Sequence, residues 1–153
     1  MGKDGSTVSG VHVWLLLMKA HQALGERAAA SISGTGMCFS DFTILEILLH
    51  KGPLPVNALA LRVGLTSGSG TTAIDRLEKR GLVERHSEPG DRRTRVVHLT
   101  AAGRRLIRKA FDRHAADMEA VAAPLSQDDR ARLAELLRKL GKGETKENAT
   151  ETV

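Results

Sequence analysis

Between Arg76 and Lys109 the chain gathers eleven bases: Arg76, Lys79, Arg80, Arg85, Arg92, Arg93, Arg95, Arg104, Arg105, Arg108 and Lys109. Only Glu78, Glu84, Glu88 and Asp91 oppose them, so this window carries +7 in a chain of net charge +5 and the remainder is −2. A local basic stripe of this kind suits a polyanion, and arginine binds phosphate and base edges better than lysine. Next to it, Ser67, Ser69 and Thr72 supply short hydroxyl side chains. Such groups reach phosphates or base edges, and a threonine methyl can meet a thymine methyl. Arg76 falls one helical turn beyond Thr72, on the same outward face.

Catalytic, redox and metal chemistry find little support. The stretch from Gly64 to Thr72 is rich in Gly, Ser and Thr, but it lacks the Lys and the spacing of a phosphate-cradling P-loop. No H-E-x-x-H, C-x-x-C or G-x-S-x-G motif occurs, so neither an enzyme nor a bound cofactor is expected. Cys38 is the only cysteine, which excludes an intrachain disulfide. The histidines (His12, His21, His50, His86, His98, His114) are scattered, and no pair has ligand spacing on one helix. The longest apolar run, Val13–Met18, is too short to span a bilayer. A soluble, cytoplasmic protein without membrane association is expected.

These residues need elements to position them. With 153 residues, 41% of them hydrophobic, the chain is long enough for a real core. A helical pattern runs from Val8 to Ser33, with Val11, Trp14, Leu15, Met18 and Leu24 near one face. Ser40-Asp41 is expected to cap a second helix, which Gly52-Pro53 ends. Val56–Val63 forms a short third helix, closed by a left-handed Gly64. Thr66 or Ser67 caps a fourth, running to Arg80, with Ile74 and Leu77 inward beside Gly70 and Ala73. Runs Leu82–Ser87 and Arg95–Leu99 flank a Pro89-Gly90 turn and form a hairpin with a cationic loop. Thr100 caps a fifth helix bearing Leu106, Ala110, His114, Met118 and Val121. A cap at Ser126 opens a sixth, with Leu133, Leu136, Leu137 and Leu140 along one side.

Two helices joined by Val63-Gly64-Leu65-Thr66 make a helix-turn-helix unit, and the basic hairpin after it makes the unit winged. The fold class is thus mainly α with a small β-hairpin wing. The run Asp75-Arg76-Leu77-Glu78-Lys79-Arg80-Gly81-Leu82-Val83, the later Asp91-Arg92-Arg93 and the segment Leu99-Thr100-Ala101-Ala102-Gly103 together resemble the MarR family of bacterial transcriptional regulators. The resemblance covers roughly residues 8 to 141. It implies a homodimer with interlocking terminal helices, a pseudo-palindromic DNA operator, and repression relieved by a small ligand or by oxidation. It also implies that Arg93 enters the minor groove while Asp91 holds its guanidinium. A narrow A·T groove concentrates negative potential and attracts arginine; Arg92 and Arg95 are placed at phosphates.

The division expected is a flexible start at 1–7, dimerisation helices at 8–33 and 100–141, a DNA-binding lobe at 34–99, and a disordered tail at 142–153. By analogy with the family, Trp14, Met18, His21, Met37, Phe42 and Phe111 would line a pocket for a small ligand such as a phenol, unless they are simply core. Several further residues admit two readings. Ser67 is either a DNA contact or a plain cap. Gly68 and Gly70 either let the backbone approach DNA closely or leave a frayed helix start. Cys38 is either incidental or an oxidation sensor. A winged-helix module that binds a protein partner without DNA is the competing function, and the retained Arg92, Arg93 and Arg95 weigh against it.

Overall fold

The computed structural model describes residues 7–142. The flexible ends expected at 1–7 and 142–153 lie almost wholly outside them. In chain order the elements are α1 (Gly10–Ser33), α2 (Phe39–Lys51), β1 (Leu54–Pro55), α3 (Val56–Val63), α4 (Ser67–Lys79), β2 (Val83–Glu88), β3 (Asp91–Leu99), α5 (Ala101–Ala122) and α6 (Gln127–Lys142). They fall into two compact units, one ending at Asp117 and the other starting at Met118.

The first unit holds the core. Ile44, Leu45, Leu48, Leu59, Ile74, Leu77, Val83, Val97 and Ile107 are its fully buried side chains. They come from α2, α3, α4, the hairpin and α5, so the helix-turn-helix and the wing share one apolar centre. Gly64 closes α3 in the left-handed conformation at φ 74°. Gly81, also left-handed, follows α4. The strands form an antiparallel sheet in the order β1-β3-β2. β3 starts earlier than its apolar run suggests, at Asp91, while β2 is shifted by one residue. β1 is absent from the expected elements: Leu54 and Pro55 add to the edge of β3 opposite Val97 and Val96, a pairing that two residues beside a proline do not advertise locally.

Two local expectations differ from the fold, at Asp41 and Gly70, and the α4 cap is the first of the two residues expected for it. Ser40-Asp41 does not cap α2: the cap is Cys38, whose side chain makes no bond to the helix amides, and Asp41 is buried. Thr66 alone caps α4, its Oγ1 accepting from the Ser69 amide at 3.2 Å, so Ser67 is not a cap. Gly70 is buried, and a Cβ there would overlap the Ala60 methyl. Gly70 therefore serves the close approach of α3 and α4, whereas Gly68 faces open space.

Polar contacts hold α1 to the rest of the unit. Ser31 is buried and donates to Asp117 Oδ2 at 2.6 Å, and His114 Nδ1 lies 3.0 Å from the same hydroxyl. His114 also packs edge-on against Phe42, so it is a satisfied packing histidine. Arg113 donates to the Gly34 carbonyl at the end of α1 at 2.7 Å. Most of α1 is nevertheless exposed, including Val11, Trp14, Leu15, Leu16, Met18 and Leu24.

At the start of α5, Thr100 Oγ1 accepts from the Gly103 amide at 3.0 Å, the cap the sequence suggests. Gly103 sits so close to the residue just before β2 that a Cβ would overlap the Leu82 carbonyl oxygen. In the second unit, Ser126 Oγ caps α6 through the Asp129 amide at 3.1 Å. The α6 residues Leu133, Leu136, Leu137 and Leu140 are all exposed.

Gly103→Ala is expected to destabilise the fold by roughly 1–3 kcal/mol, the usual range for overpacking against backbone. Urea denaturation of the two proteins checks this; an unchanged midpoint would contradict the packing.

Candidate nucleic-acid interface

α4 starts with three exposed residues, Ser67, Gly68 and Ser69. The first turn of any helix leaves amides without intrahelical acceptors, and these favour an anion. Thr66 satisfies one of them and donates to Ser69 Oγ at 3.0 Å, so the Ser69 hydroxyl belongs to the cap network. Thr72 is exposed and donates to the Gly68 carbonyl at 3.0 Å. Ser67 is left facing a concavity of about 490 Å³ that also touches Pro55, Val56, Asn57, Ala60, Thr71, Arg85, Arg93, Thr94 and Arg95. The start of α4 and the wing thus border one groove, with hydroxyls on one wall and guanidinium groups on the other.

One residue ties the two walls together. Arg85 on β2 is only 16% exposed and reaches across to α4. Its Nη1 donates to Glu78 Oε2 at 2.8 Å, its Nη2 pairs with Asp75 and approaches the Thr71 carbonyl, and its own amide donates to Glu78 Oε1 at 3.1 Å. Residues 71, 75 and 78 follow the helical repeat, so one face of α4 meets one guanidinium. The sequence marks Arg85 only as one base among eleven. Its role depends on the register of β2 against α4, which no local pattern encodes.

Arg76 is not placed as expected. Its side chain folds back onto α2, where Nε donates to both Asp41 oxygens at 3.2 Å and Nη2 pairs with Asp41. Nη2 also reaches Ser40 Oγ at 3.4 Å and Cys38 Sγ at 3.6 Å. Arg80 approaches the same carboxylate at 3.3 Å. The hydrogen bond to Asp41, opposed by some desolvation, raises the Arg76 pKa above its ordinary value. Arg76 is therefore a brace between α2 and α4, with a charge already paired, although 44% of its side chain remains exposed.

In the wing, Asp91 does not hold the guanidinium of Arg93. Oδ2 accepts from the Thr94 hydroxyl at 2.7 Å and Oδ1 from the Arg93 amide at 2.9 Å, so Asp91 shapes the backbone of the turn. Those bonds, the Thr94 hydroxyl first, hold its carboxyl below the usual range. Arg93 is exposed. Arg95 Nη1 donates to Ser87 Oγ at 2.9 Å across the hairpin. Arg92 lies on β3 between Asp91 and Arg93. Asn57, Thr71 and Thr94 border the groove without having stood out in the sequence; Thr71 carried a signal, since it lies in the same hydroxyl-rich run as Ser67 and Thr72.

The ligand-pocket residues are not brought together. Trp14, Met18 and His21 line an open concavity along α1. Met37 and Phe42 are buried in the core. Phe111 is half-buried and packs edge-on against His50, with ring centroids 4.7 Å apart. The aromatic and sulfur side chains that suggested a pocket are accounted for in part by ordinary packing.

A helix-turn-helix whose second helix and basic hairpin share one groove defines a winged-helix nucleic-acid-binding protein. The MarR family model matches residues 40–94, from the start of α2 through the wing turn. The regulator MhqR of Bacillus subtilis (strain 168) is 29% identical over 135 residues, covering 88% of this chain and 93% of its own. A probable transcriptional regulator from Pseudomonas aeruginosa is 29% identical in its crystal structure, with a TM-score of 0.69 over 84% of this chain and 96% of its own. NadR, crystallised with 4-hydroxyphenylacetate, is 25% identical with a TM-score of 0.70 over 93% of this chain and 99% of its own. The chain is similar to MarR-family winged helix-turn-helix transcriptional regulators, through the family model over its helix-turn-helix and wing and through relatives that span most of its length. No helix among the described residues is long and apolar enough to cross a membrane.

Two outcomes follow from the local chemistry. Arg85→Ala leaves Asp75 and Glu78 without their shared partner, both of them partly exposed, and is expected to cost about 1–2 kcal/mol of stability, measured by chemical denaturation. Because the Asp91 carboxyl is depressed in the fold, its contribution is fully present above the ordinary value of 3.8 and is lost as pH falls through the lower folded value. The Arg93 and Thr94 amide resonances should therefore stay constant from neutral pH down to about pH 4 and shift only below it.

Proposed function

We propose that the protein is a homodimeric repressor that reads a pseudo-palindromic operator and is released by a small phenolic ligand. The observation that carries the DNA reading is the groove shared by the α4 N-terminus and the wing. Ser67, Ser69 and Thr72 lie where a recognition helix presents its first turns to the major groove. Arg93 reaches the adjacent minor groove, and Arg92 and Arg95 take phosphates. The lobe at 34–99 performs this reading, and Arg76 and Asp91 support it from within the protein. A role on the chromosome places the protein in the cytoplasm.

The dimer is supported by apolar surface that one chain leaves uncovered. α1 exposes Trp14, Leu15, Leu16 and Met18, and α6 exposes Leu133, Leu136, Leu137 and Leu140. Exposed apolar faces of this extent mark interaction surfaces, and a second copy covers them if 8–33 and 100–141 are dimerisation helices. Two-fold symmetry then sets the half-sites about one helical turn apart. Release by a ligand requires that it bind a dimer with wrongly spaced reading heads more tightly than the DNA-bound form. The phenolic class is suggested by the likeness to NadR with its 4-hydroxyphenylacetate. Trp14, Met18 and His21 line a concavity along α1, and such a ligand would be held there between α1 and the second copy.

Fluorescence anisotropy with the gene's own upstream DNA tests the reading. Salt-dependent binding that prefers this DNA over scrambled sequence is expected. Arg93→Ala should weaken it by at least about 1 kcal/mol at fixed salt, with an unchanged circular dichroism spectrum. Equal affinity for scrambled DNA, or no effect of Arg93→Ala, would count against the proposal. Sedimentation at micromolar concentration should give a dimer, and a monomer would reject the two-fold model.

A further inference from the structure

The wing hairpin has a second face that the proposed DNA groove does not use. In the pairing of β2 with β3, Glu84 lies opposite His98, and His86 lies opposite Val96. Side chains alternate along a strand, so Glu84, His86 and His98 share one face. Val83, Arg85 and Val97 occupy the other, which packs toward the core and α4. The rings of His86 and His98 are stacked, with centroids 4.5 Å apart and planes 27° from parallel. Glu84 Oε1 lies 3.2 Å from His86 Nε2, and both of those side chains are more than half exposed.

We propose that Glu84, His86 and His98 form a binding site for a divalent transition-metal ion of the zinc class, which ties β2 to β3 midway along the wing. Imidazole and carboxylate are the donors such ions take, and three protein ligands with water in the remaining position make a complete shell. Two donors come from one strand at positions i and i+2, and the third comes from directly across the ladder, where Cβ atoms are about 5 Å apart. As the side chains stand, no three such donors among the described residues converge on one point. The two rings lie one above the other, so for all three donors to ligate one ion the side chains must turn out of this stacked arrangement. Among the described residues, Glu84 is the only polar partner of either ring. His86 and His98 look unrelated in the sequence, twelve residues apart and on no common helix; only the hairpin register joins them.

Calorimetric titration of Zn²⁺ into the full chain without an affinity tag, at neutral pH, tests the site, with Co²⁺ absorption as a second readout. One ion per chain is expected. His86→Asn and His98→Asn should each bind at least about tenfold more weakly, since even the outer partners of metal ligands carry effects of that size. Binding should also weaken on acidification, because protons compete for the ligating imidazoles. A control with His12→Asn on α1 should titrate like the original chain. Circular dichroism verifies folding, and His98→Gln substitutes for any variant that fails it. Absence of uptake by the original chain, or undiminished uptake by folded His86 and His98 variants, overturns the proposal.

Discussion

A guanidinium with most of its surface withdrawn from water must find its counter-charges close by, because an unpaired buried charge is far costlier than a paired one. Arg85 meets that requirement on a single helix face, through Glu78, Asp75 and the Thr71 carbonyl. The bonds leave little freedom in how β2 lies against α4. They decide where the hairpin is aimed relative to the first turn of α4, and so the width of the groove between Ser67 and Arg93. Arg76 and Arg80 repeat the device on the other side of α4, where both are anchored to the buried Asp41 of α2. The reading helix is braced from two sides by charged side chains at its own surface.

Much of this architecture was legible in the residues. Apolar spacing, turn glycines and hydroxyl caps gave the helices, and the Pro89-Gly90 turn between β-like runs gave the wing. The misreadings share a cause. Asp41 looks like a capping residue in local sequence, yet it is buried to receive two arginines from a helix about 35 residues away. Arg76 looks outward by helical periodicity, but the buried Asp41 carboxylate draws it back. Asp91 beside Arg93 suggests an ion pair, while the nearer amide and the Thr94 hydroxyl satisfy the carboxylate first. β1 depends on a partner strand some forty residues later. In each case a long-range or competing bond prevailed over a local preference, and short-range pattern carries no record of such bonds.

The glycines make the same point in the opposite direction. Gly70 and Gly103 cost helix propensity, which reads locally as weakness. In the fold they let α3 approach α4 and α5 approach the residue just before β2, where any side chain would collide with Ala60 or Leu82. The small residue at each contact is what allows helix-turn-helix, wing and α5 to share one core. The apolar faces of α1 and α6 stand outside that core, and their exposure is the main reason to read the functional unit as more than one chain.

The central claim is that α4 and the wing act as one rigid reader held together by Arg85. Dimethyl sulfate footprinting of the upstream DNA, which reads guanine N7 in the major groove and adenine N3 in the minor groove, addresses it most directly. The account predicts two protected patches on one face of the duplex, centred about 10 bp apart, each with minor-groove protection beside a major-groove contact. Protection confined to one groove, or spread evenly along the DNA, would contradict it.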